Sequence, residues 1–394
     1  MSDPTYPAFP VLALIGATLV LIPLPWHVQA WNSGTCLYMI WTALALLNMA
    51  ANSIIWRSSV DNYSPVWCDI SSRLIVGIAV AIPAASLCIN RRLYKIATVS
   101  TVTSTRGHKR RAVLVDLAIG LGIPFVQMIL QYIVEGHRFN IYEEIGCYPA
   151  TYNVTLAYPL SIVWPLVIGL ASAIYCILTL RAFMKRRAQF NEFVSSTTSL
   201  TISRYFRLMA LATIEIMCTI PITAYGIYLN ATLSPIQPWK GFADAHYNFA
   251  HVGQYPSVVW RSNHLNVVAM ELTRWSLVFC AFVFFGFFGF ADEARKNYQK
   301  WYRTVVERFG VCARWPMNSH SSPYTRTGLP MVSVGSLPVY TAPSFTSEKT
   351  LSVTTTKDKS VTGGSLTLFD DLDRLPRTPD SGVTLDTYTG AYAV

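Results

Sequence analysis

Polar side chains interrupt the apolar segments of this sequence at positions where they could bind a ligand. Asp69 and Arg73 are four residues apart on one helical face, where they form either an internal ion pair or a polar mouth. Ionisable groups in lipid are costly unless they are paired or hydrated, so each is a functional candidate. Six further groups are expected at a similar depth and are predicted to bind ligand with this pair: Asn48, Asn52, Gln127, Gln131, Glu271 and Arg274. For each Asn and Gln taken singly, the alternative is a hydrogen bond between helices.

Catalytic and metal-binding chemistry is not expected. The seven His residues are scattered through loops, helix ends and the C-terminal region, and no His-x-x-x-His, Ser/Lys or paired Asp arrangement falls at one membrane depth. A retinal protein needs a Schiff-base Lys in its seventh span, and Trp275 to Phe290 contains none. We therefore expect no enzymatic activity, no cofactor and no metal.

The elements that must position these side chains are membrane helices. Of the 394 residues, 52% are hydrophobic and 13% are charged, against about a quarter charged in soluble domains. Mean hydropathy is +0.35. A bilayer core needs about 20 apolar residues per helix, and seven segments provide them: 7–26, 35–56, 67–89, 113–134, 157–180, 208–229 and 266–290. The sequence predicts an all-α bundle of seven transmembrane helices over residues 1–290.

The placement of Lys and Arg predicts how the bundle is oriented. Cytoplasmic flanks of membrane helices are enriched in these residues, and they concentrate after the third, fifth and seventh segments. The N-terminus is therefore expected outside and the C-terminus in the cytoplasm of a multi-pass plasma membrane protein. The same placement accounts for the net charge of +10 without any nucleic-acid partner. Asp116, near the inner end of the fourth segment, is expected to reach Arg110 or Arg111.

The chain after the seventh span divides into two parts. Residues 291–315 alternate apolar and basic side chains, which is typical of an amphipathic helix lying on membrane lipid. Cys312 behind it is either a palmitoylation site or an ordinary thiol. Residues 316–394 are rich in Ser and Thr and poor in core-forming residues, which predicts a disordered cytoplasmic tail.

Three further features concern the outer side and the sixth span. Only Cys68 and Cys147 reach the oxidising exterior, so they are expected to form a disulfide, the alternative being two free thiols. Asn153 opens an Asn-Val-Thr sequon and is predicted to be glycosylated. Pro221 frees a backbone carbonyl between hydroxyl-bearing neighbours, which predicts a hinge, the alternative being a static kink.

Three classes of seven-helix protein compete. A retinal protein is excluded as above, and a transporter usually shows paired repeats, which seven unequal spans lack. A ligand-activated receptor needs an outer pocket, bendable helices and a basic inner face, and the sequence offers all three. A transporter, or a sensor of another small apolar ligand, is the alternative.

Motifs along the chain carry a resemblance to a known family. They are LIPLPWH at 21–27, LNMAANSIIW at 47–56, PVWCDISSR at 65–73, AASLCINRRLY at 84–94, GCYP at 146–149 and RYFRLM at 204–209. Over about residues 10 to 300 the chain resembles the fungal lipopeptide mating-pheromone receptors of the basidiomycete type, which are class D G-protein-coupled receptors.

The resemblance implies recognition of a secreted peptide with a farnesylated, carboxymethylated C-terminal Cys. Trp67, Phe125, Tyr158 and Trp164 are expected to line a slot for the farnesyl chain, with residues 231–265 as a lid. The peptide's polar part would meet Asp69, Arg73, Glu271 and Arg274. Whether the receptor forms a homodimer is left open.

The resemblance also implies a heterotrimeric G protein as the cytoplasmic partner. Nine basic residues flanking the third, fifth and sixth spans are predicted to form its docking surface: Arg91, Arg92, Lys95, Arg181, Lys185, Arg186, Arg187, Arg204 and Arg207. Positive-inside topology and contact with anionic lipid are the alternative reasons for basic residues at these positions.

Overall fold

Seven helical segments long and apolar enough to cross a membrane form the body of the protein. The computed structural model describes residues 5–98, 106–190, 199–290 and 292–309. Within these ranges the segments are Ala8–Gln29, Ser33–Ile55, Pro65–Thr98, Gly107–Ile133, Trp164–Lys185, Phe206–Thr232 and His264–Gly289. The predicted seven-helix membrane fold is confirmed, with most ends shifted by at most three residues and four ends shifted by five to nine.

The helices are α1 Ala8–Leu21, α2 Leu24–Gln29, α3 Ser33–Ile55, α4 Pro65–Thr98, α5 Arg106–Leu117, α6 Ile123–Ile133, α7 Trp164–Phe190, α8 Ser199–Thr232, α9 Phe242–Ala245, α10 Ser257–Trp260, α11 His264–Gly289 and α12 Asp292–Phe309. Two π-helical turns precede α6 and α7, at Ala118–Gly122 and Tyr158–Ile162. The first span is divided into α1 and α2 because Pro23 has no N–H with which to continue α1.

The first π-helical turn is explained by a proline. Pro124 cannot donate a hydrogen bond to the carbonyl of Gly120, four residues earlier, and its ring would clash with that carbonyl. Widening the turn relieves the clash. Trp41 of α3 donates its Nε1–H to the Gly120 oxygen at 2.9 Å, which gives this carbonyl a partner inside the bundle.

The two central helices are α3 and α4, which pack against each other. α4 also contacts α6, α7 and α8, while α11 closes the bundle against α1, α3 and α8. Their buried faces combine large side chains such as Tyr38 and Leu46 with small ones such as Ala81 and Ala85. Small residues let helix backbones approach closely where lipid supplies no hydrophobic driving force.

A three-stranded sheet covers one end of the bundle, which the all-helical prediction missed. β1 (Phe139–Tyr142) lies between β2 (Gly146–Tyr148), which is antiparallel to it, and β3 (Val252–Tyr255), which is parallel. We call this end, the predicted outside, the sheet end. Cys68 at the start of α4 is joined to Cys147 in β2 by a disulfide, with the Cα atoms 5.1 Å apart.

The helix after the seventh span lies within the range predicted for an interfacial helix. α12 exposes Trp301 and Tyr302, and the ring of Tyr298 packs edge-on against Trp26 with centroids 5.7 Å apart. Its contact with lipid stays a prediction. Cys312 and the predicted tail, residues 316–394, lie outside the described residues.

Candidate functional site

A cavity of about 280 Å³ lies inside the bundle beneath the sheet. One water needs only about 10–15 Å³, so this space is of the size that holds an organic group. Its wall is mainly apolar and comes from α4, α8 and α11: Ile75, Val76, Ile78, Ala79, Val80, Ile82, Ile222, Ile227 and Leu277. Tyr148 and Pro149, at the end of β2, line it from the sheet side.

Asn52 sets the register of the helices at the upper edge of the cavity. Its Nδ2 donates to Ser71 Oγ of α4 at 2.8 Å, and its Oδ1 accepts from Trp67 Nε1 at 2.7 Å. The same Nδ2 lies 3.5 Å from the carbonyl oxygen of Cys147 in β2. Asn52 and Trp67 therefore hold α3, α4 and the sheet together, and neither lines the cavity.

Asn48 and Gln127 are the two predicted binding residues that do line the cavity. Gln127 Nε2 donates to the Leu160 carbonyl and to Ser161 Oγ, both at 3.1 Å, and so ties α6 to the second π-helical turn. Asn48 is only 3% exposed, and neither its Nδ2 nor its Oδ1 has a hydrogen-bond partner among the described residues. Asn48 thus lies in the cavity wall with a donor and an acceptor that no described residue uses.

The deep end of the cavity is built from residues that the binding prediction did not include. Thr219 Oγ1 donates to Glu215 Oε1 at 2.5 Å, and the Sγ atoms of Cys218 and Cys280 are 4.0 Å apart. Tyr38 and Glu215 are both buried there. Glu215 could have been found from the sequence, since it is the one acidic residue of the predicted sixth span. Tyr38, Cys218 and Cys280 could not have been singled out in this way, because Tyr and Cys are common on any buried helix face.

Asp69 and Arg73, predicted to form an ion pair with each other, pair with other residues at the sheet end. Neither Asp69 nor Arg73 lines the cavity. Arg138 donates from Nε to Asp69 Oδ1 at 2.8 Å and from Nη2 to Oδ2 at 2.5 Å, and this hydrogen bonding raises the pKa of Arg138. Arg73 instead donates to Gln131 and Glu135. Both side chains find partners outside their own helix, in α6 and in the loop that follows it, which sequence spacing could not show.

Gln131 and Glu135 complete this second cluster. Gln131 Nε2 donates to Thr151 Oγ1 at 3.2 Å, so its amide links α6 to the outer loop and does not line the cavity. Glu135 is 1% exposed. Burial, opposed by the nearby Arg73, raises the pKa of Glu135 from 4.5 to about 7.

Glu271 links α11 to an outer loop, and Arg274 pairs with Glu271 on the same helix. Glu271 accepts from Arg274 Nη1 at 3.3 Å and from Trp275 Nε1 at 3.1 Å. Arg261 donates to Glu144 at 2.7 Å and lies 3.6 Å from Glu271, so one guanidinium joins the β1–β2 turn to α11. Neither Glu271 nor Arg274 lines the cavity.

The aromatic slot predicted for the farnesyl chain does not form. Phe125 is 65% exposed and Trp164 is 37% exposed on the outside of the bundle, and the Tyr158 hydroxyl donates to Asn153 Oδ1 at 3.2 Å. None of these lines the cavity. In a membrane helix the face toward lipid is as apolar as the face toward a pocket, so residue type alone could not separate them.

The structure also disagrees with glycosylation at Asn153. Its Nδ2, the atom that would carry the glycan, donates to the carbonyl oxygens of Asn230 at 2.9 Å and Ser234 at 3.2 Å. The side chain is completely buried. The sequon is therefore used as a structural link between the second and third outer loops, which residue pattern could not show.

Comparison with known proteins identifies this arrangement. The model of the family described as "STE3: Pheromone A receptor" matches residues 8–310, which takes in all seven spans and the cavity. The chain belongs to this pheromone A receptor family. Membership places the protein in a family of multi-pass membrane receptors, a non-enzymatic class.

Individual members of the family differ in length. The chain is 50% identical over 314 residues to the pheromone B alpha 3 receptor of Schizophyllum commune, covering 80% of this chain but 50% of that one. It is 33% identical over 293 residues to pheromone receptor 1 of Mycosarcoma maydis, covering 74% of this chain and 82% of that one. It is also 25% identical over 329 residues to the pheromone a factor receptor of Saccharomyces cerevisiae. The chain spans about half the length of the Schizophyllum receptors.

At the end of the bundle opposite the sheet, the basic residues predicted to dock a G protein differ in their contacts and exposure. Arg91 Nη2 lies 2.7 Å from Asp116 Oδ1, where the sequence had suggested Arg110 or Arg111 as the partner of Asp116. Arg92 donates to the Trp31 carbonyl. Three basic residues are exposed along α4 and α7: Lys95, Arg181 and Lys185. Arg186, Arg187, Arg204 and Arg207 lie on the facing ends of α7 and α8.

Proposed function

We propose that this protein is a G-protein-coupled receptor of the plasma membrane that binds a secreted farnesylated peptide pheromone in the cavity beneath the sheet. The observation that carries the proposal is the location of an apolar cavity of about 280 Å³ inside a bundle of this family. Burial of an isoprenoid chain contributes up to about 0.8 kcal/mol per CH₂ group. The relatives named as pheromone receptors support the assignment of the ligand class.

The peptide part of the ligand is proposed to lie at the sheet end. Asp69 and Arg138 form an exposed ion pair there, so both can exchange partners with a charged peptide at little cost. The third outer loop already contributes β3 to the sheet, which is the role expected of a lid. Arg73 and Glu271 act behind this surface by holding the loops in place, and Arg274 supports Glu271.

Helix α8 is proposed to carry the signal across the membrane. The cavity is lined by Thr219 and Thr223 on either side of Pro221, so a ligand contacts α8 both below and above the proposed hinge. The same helix carries Arg204 and Arg207 in its opposite half. A ligand that prefers one curvature of α8 would therefore shift the position of these residues.

The nine basic residues are proposed to dock a heterotrimeric G protein, while α12 and palmitoylated Cys312 hold the adjoining chain on lipid. Replacing Arg204 and Arg207 with Gln separates docking from a role in orientation or lipid contact alone. Surface receptor, ligand binding and nucleotide exchange are measured together. Docking predicts normal ligand binding and reduced exchange per surface receptor. A role in orientation or lipid contact alone predicts fewer surface receptors, each with wild-type exchange.

The ligand assignment is tested by expressing the full chain in a pheromone-responsive reporter cell and adding a panel of farnesylated peptides. At least one farnesylated peptide should activate the reporter, and its unfarnesylated form should be at least about tenfold weaker because the apolar contact is lost. Substituting Ile78→Asn, which places an amide in the apolar wall, should weaken the same peptide. A full panel that leaves the reporter silent while surface receptor is present would overturn the proposal.

A further inference from the structure

We propose that Asn48 recognises a secondary amide of the ligand, the peptide group next to its isoprenoid-bearing residue. The inference rests on the proposed function and assigns a specific ligand group to one residue of the cavity. Asn48 and Asn52 have the same side chain on the same helix, one turn apart, yet their environments are opposite. Asn52 uses its donor and its acceptor within the protein, and Asn48 uses neither within the described residues.

The position of Asn48 follows from the register of the helices. The Asn52–Ser71 hydrogen bond places these residues level with each other on antiparallel α3 and α4. Asn48 is therefore level with Ile75, about 6 Å further from the sheet at 1.5 Å rise per residue. Both side chains line the cavity. The unused amide thus lies just under the sheet, at the top of the apolar wall.

The chemistry of Asn48 selects the group that it can bind. A side-chain amide offers an acceptor oxygen and an N–H donor, and a trans peptide group, whose N–H and C=O point to opposite sides, can pair with the Asn48 Oδ1 acceptor through its N–H. An ester supplies only acceptors. A buried amide without partners costs free energy, and a ligand N–H that donates to Oδ1 recovers the part due to the unpaired oxygen.

The orientation of the ligand then follows. With a peptide group at Asn48, the rest of the peptide leads toward the sheet end, and the isoprenoid extends in the other direction along Ile78, Ile82 and Leu277. The reverse orientation would leave the Asn48 amide facing hydrocarbon.

The inference is tested with two small probes and the purified full chain. The first probe is N-acetyl-S-farnesyl-cysteine methyl ester, which has one secondary amide, and the second is its N-methyl analogue, which lacks the N–H. Wild type should bind the first about tenfold more tightly, because the analogue leaves the Asn48 acceptor unpaired. Asn48→Leu should weaken the first probe about tenfold and abolish the preference between the two.

Thr42 supplies the matched control. It lies on the same helix, is completely buried and has an Oγ1 without a hydrogen-bond partner in the described part of the chain, but it does not line the cavity. Thr42→Val should leave both affinities unchanged. Without ligand, Asn48→Leu should melt at or above the wild-type temperature, because it removes an unpaired buried amide; Asn48→Ala serves if the Leu variant does not accumulate.

The possible failures are distinct. Equal affinity of wild type for the two probes, or an unchanged preference in Asn48→Leu, would overturn the role of Asn48, as would a wild-type receptor that binds neither probe. In each case activation of the reporter by a farnesylated peptide would show that the proposed function survives. If Asn48 only holds a structural water, Asn48→Leu should lower the melting temperature and leave the preference between the two probes intact.

Discussion

Arg91 and Asp116 form an ion pair of 2.7 Å that joins α4 to α5 at the end opposite the sheet. Ser33 at the start of α3 donates to the second Asp116 oxygen at 2.5 Å, so three helices meet at one carboxylate. The side chains of Arg91 and Asp116 are 17% and 3% exposed. This pair differs in kind from the exposed basic residues around it, although all of them appear alike in the sequence.

Replacing Arg91 should therefore affect folding more than replacing its neighbour Lys95. Arg91→Ala leaves Asp116 as a buried charge without its guanidinium, a change that costs about 3–5 kcal/mol. Lys95 is exposed one turn further along α4, and Lys95→Ala should cost less than about 0.5 kcal/mol. Surface antigen and melting temperature in detergent measure the difference. Equal losses in the two variants would contradict it, and Asp116→Asn should partly rescue Arg91→Ala.

The disulfide between Cys68 and Cys147 is expected to be closed in the mature protein. Peptide mapping without reductant should recover the two cysteines in one linked fragment. The link closes a separation of 79 residues, and its loss through paired Ser substitutions should cost about 2–5 kcal/mol. Cys36→Ser, which removes a free thiol, is the control. Recovery of Cys68 and Cys147 as separate free thiols would refute the expectation.

The sequence was sufficient for the helices because membrane spans have a strong local signal. About 20 apolar residues are needed whatever surrounds them, and the seven segments follow from this requirement alone. The outer sheet has no such signal, since β1, β2 and β3 have three or four residues each and β3 lies over a hundred residues from β1 along the chain. Short strands paired across long loops are defined by tertiary contacts.

The cavity was only partly predictable for a related reason. Polar residues in apolar helices could be found in the sequence, but their partners could not. Asn52 and Asn48 are indistinguishable by pattern. Only the register of α3 on α4 shows that Trp67 and Ser71 pair with Asn52, while Asn48 has no partner among the residues that the structure describes. Glu135 was missed as the partner of Arg73 because it lies 62 residues away, beyond the end of its span.

The buried carboxyl group of Glu135 should make stability depend on pH. Burial raises its pKa from 4.5 to about 7 in the folded protein. The folded state thus keeps a proton that the unfolded chain loses near pH 4.5. The stabilising contribution of the proton is full below that pH, falls as pH rises to about 7 and is absent above it. The total change is on the order of 3 kcal/mol at 1.36 kcal/mol per pKa unit.

Glu135→Gln should remove this pH dependence. Melting temperature in detergent, compared at pH 5 and pH 7.5, should fall less with rising pH in the variant than in wild type. Arg73→Ala should enlarge the fall, because Arg73 is the charge that stabilises ionised Glu135. Lys240→Ala, which removes an exposed cation of the third outer loop, is the control and should leave the slope unchanged. If the melting temperature of Glu135→Gln falls with rising pH as steeply as that of wild type, the pH dependence of stability comes from another group.

Gly146 begins β2, the strand whose last residue, Tyr148, lines the cavity. Replacing Gly146 by Ala should therefore disturb both the sheet and the cavity. Its φ is +91°, a conformation that L side chains rarely adopt, and an added Cβ would lie 2.6 Å from the Cβ of Asn52. Gly241 separates the two effects, since its φ is +126° but nothing lies within 4 Å of its added Cβ. Gly241→Ala should therefore cost only the backbone strain, about 1–3 kcal/mol.

Gly146→Ala should cost this strain and the clash together, because the Asn52 side chain is held by two hydrogen bonds and cannot move aside freely. The strand must shift instead, and Tyr148, two residues on, lines the cavity. We expect a melting temperature below that of Gly241→Ala and a loss of farnesylated-peptide potency of about tenfold or more per surface receptor. Gly241→Ala should keep its potency. Similar potencies for the two variants would mean that the position of β2 does not shape the binding cavity.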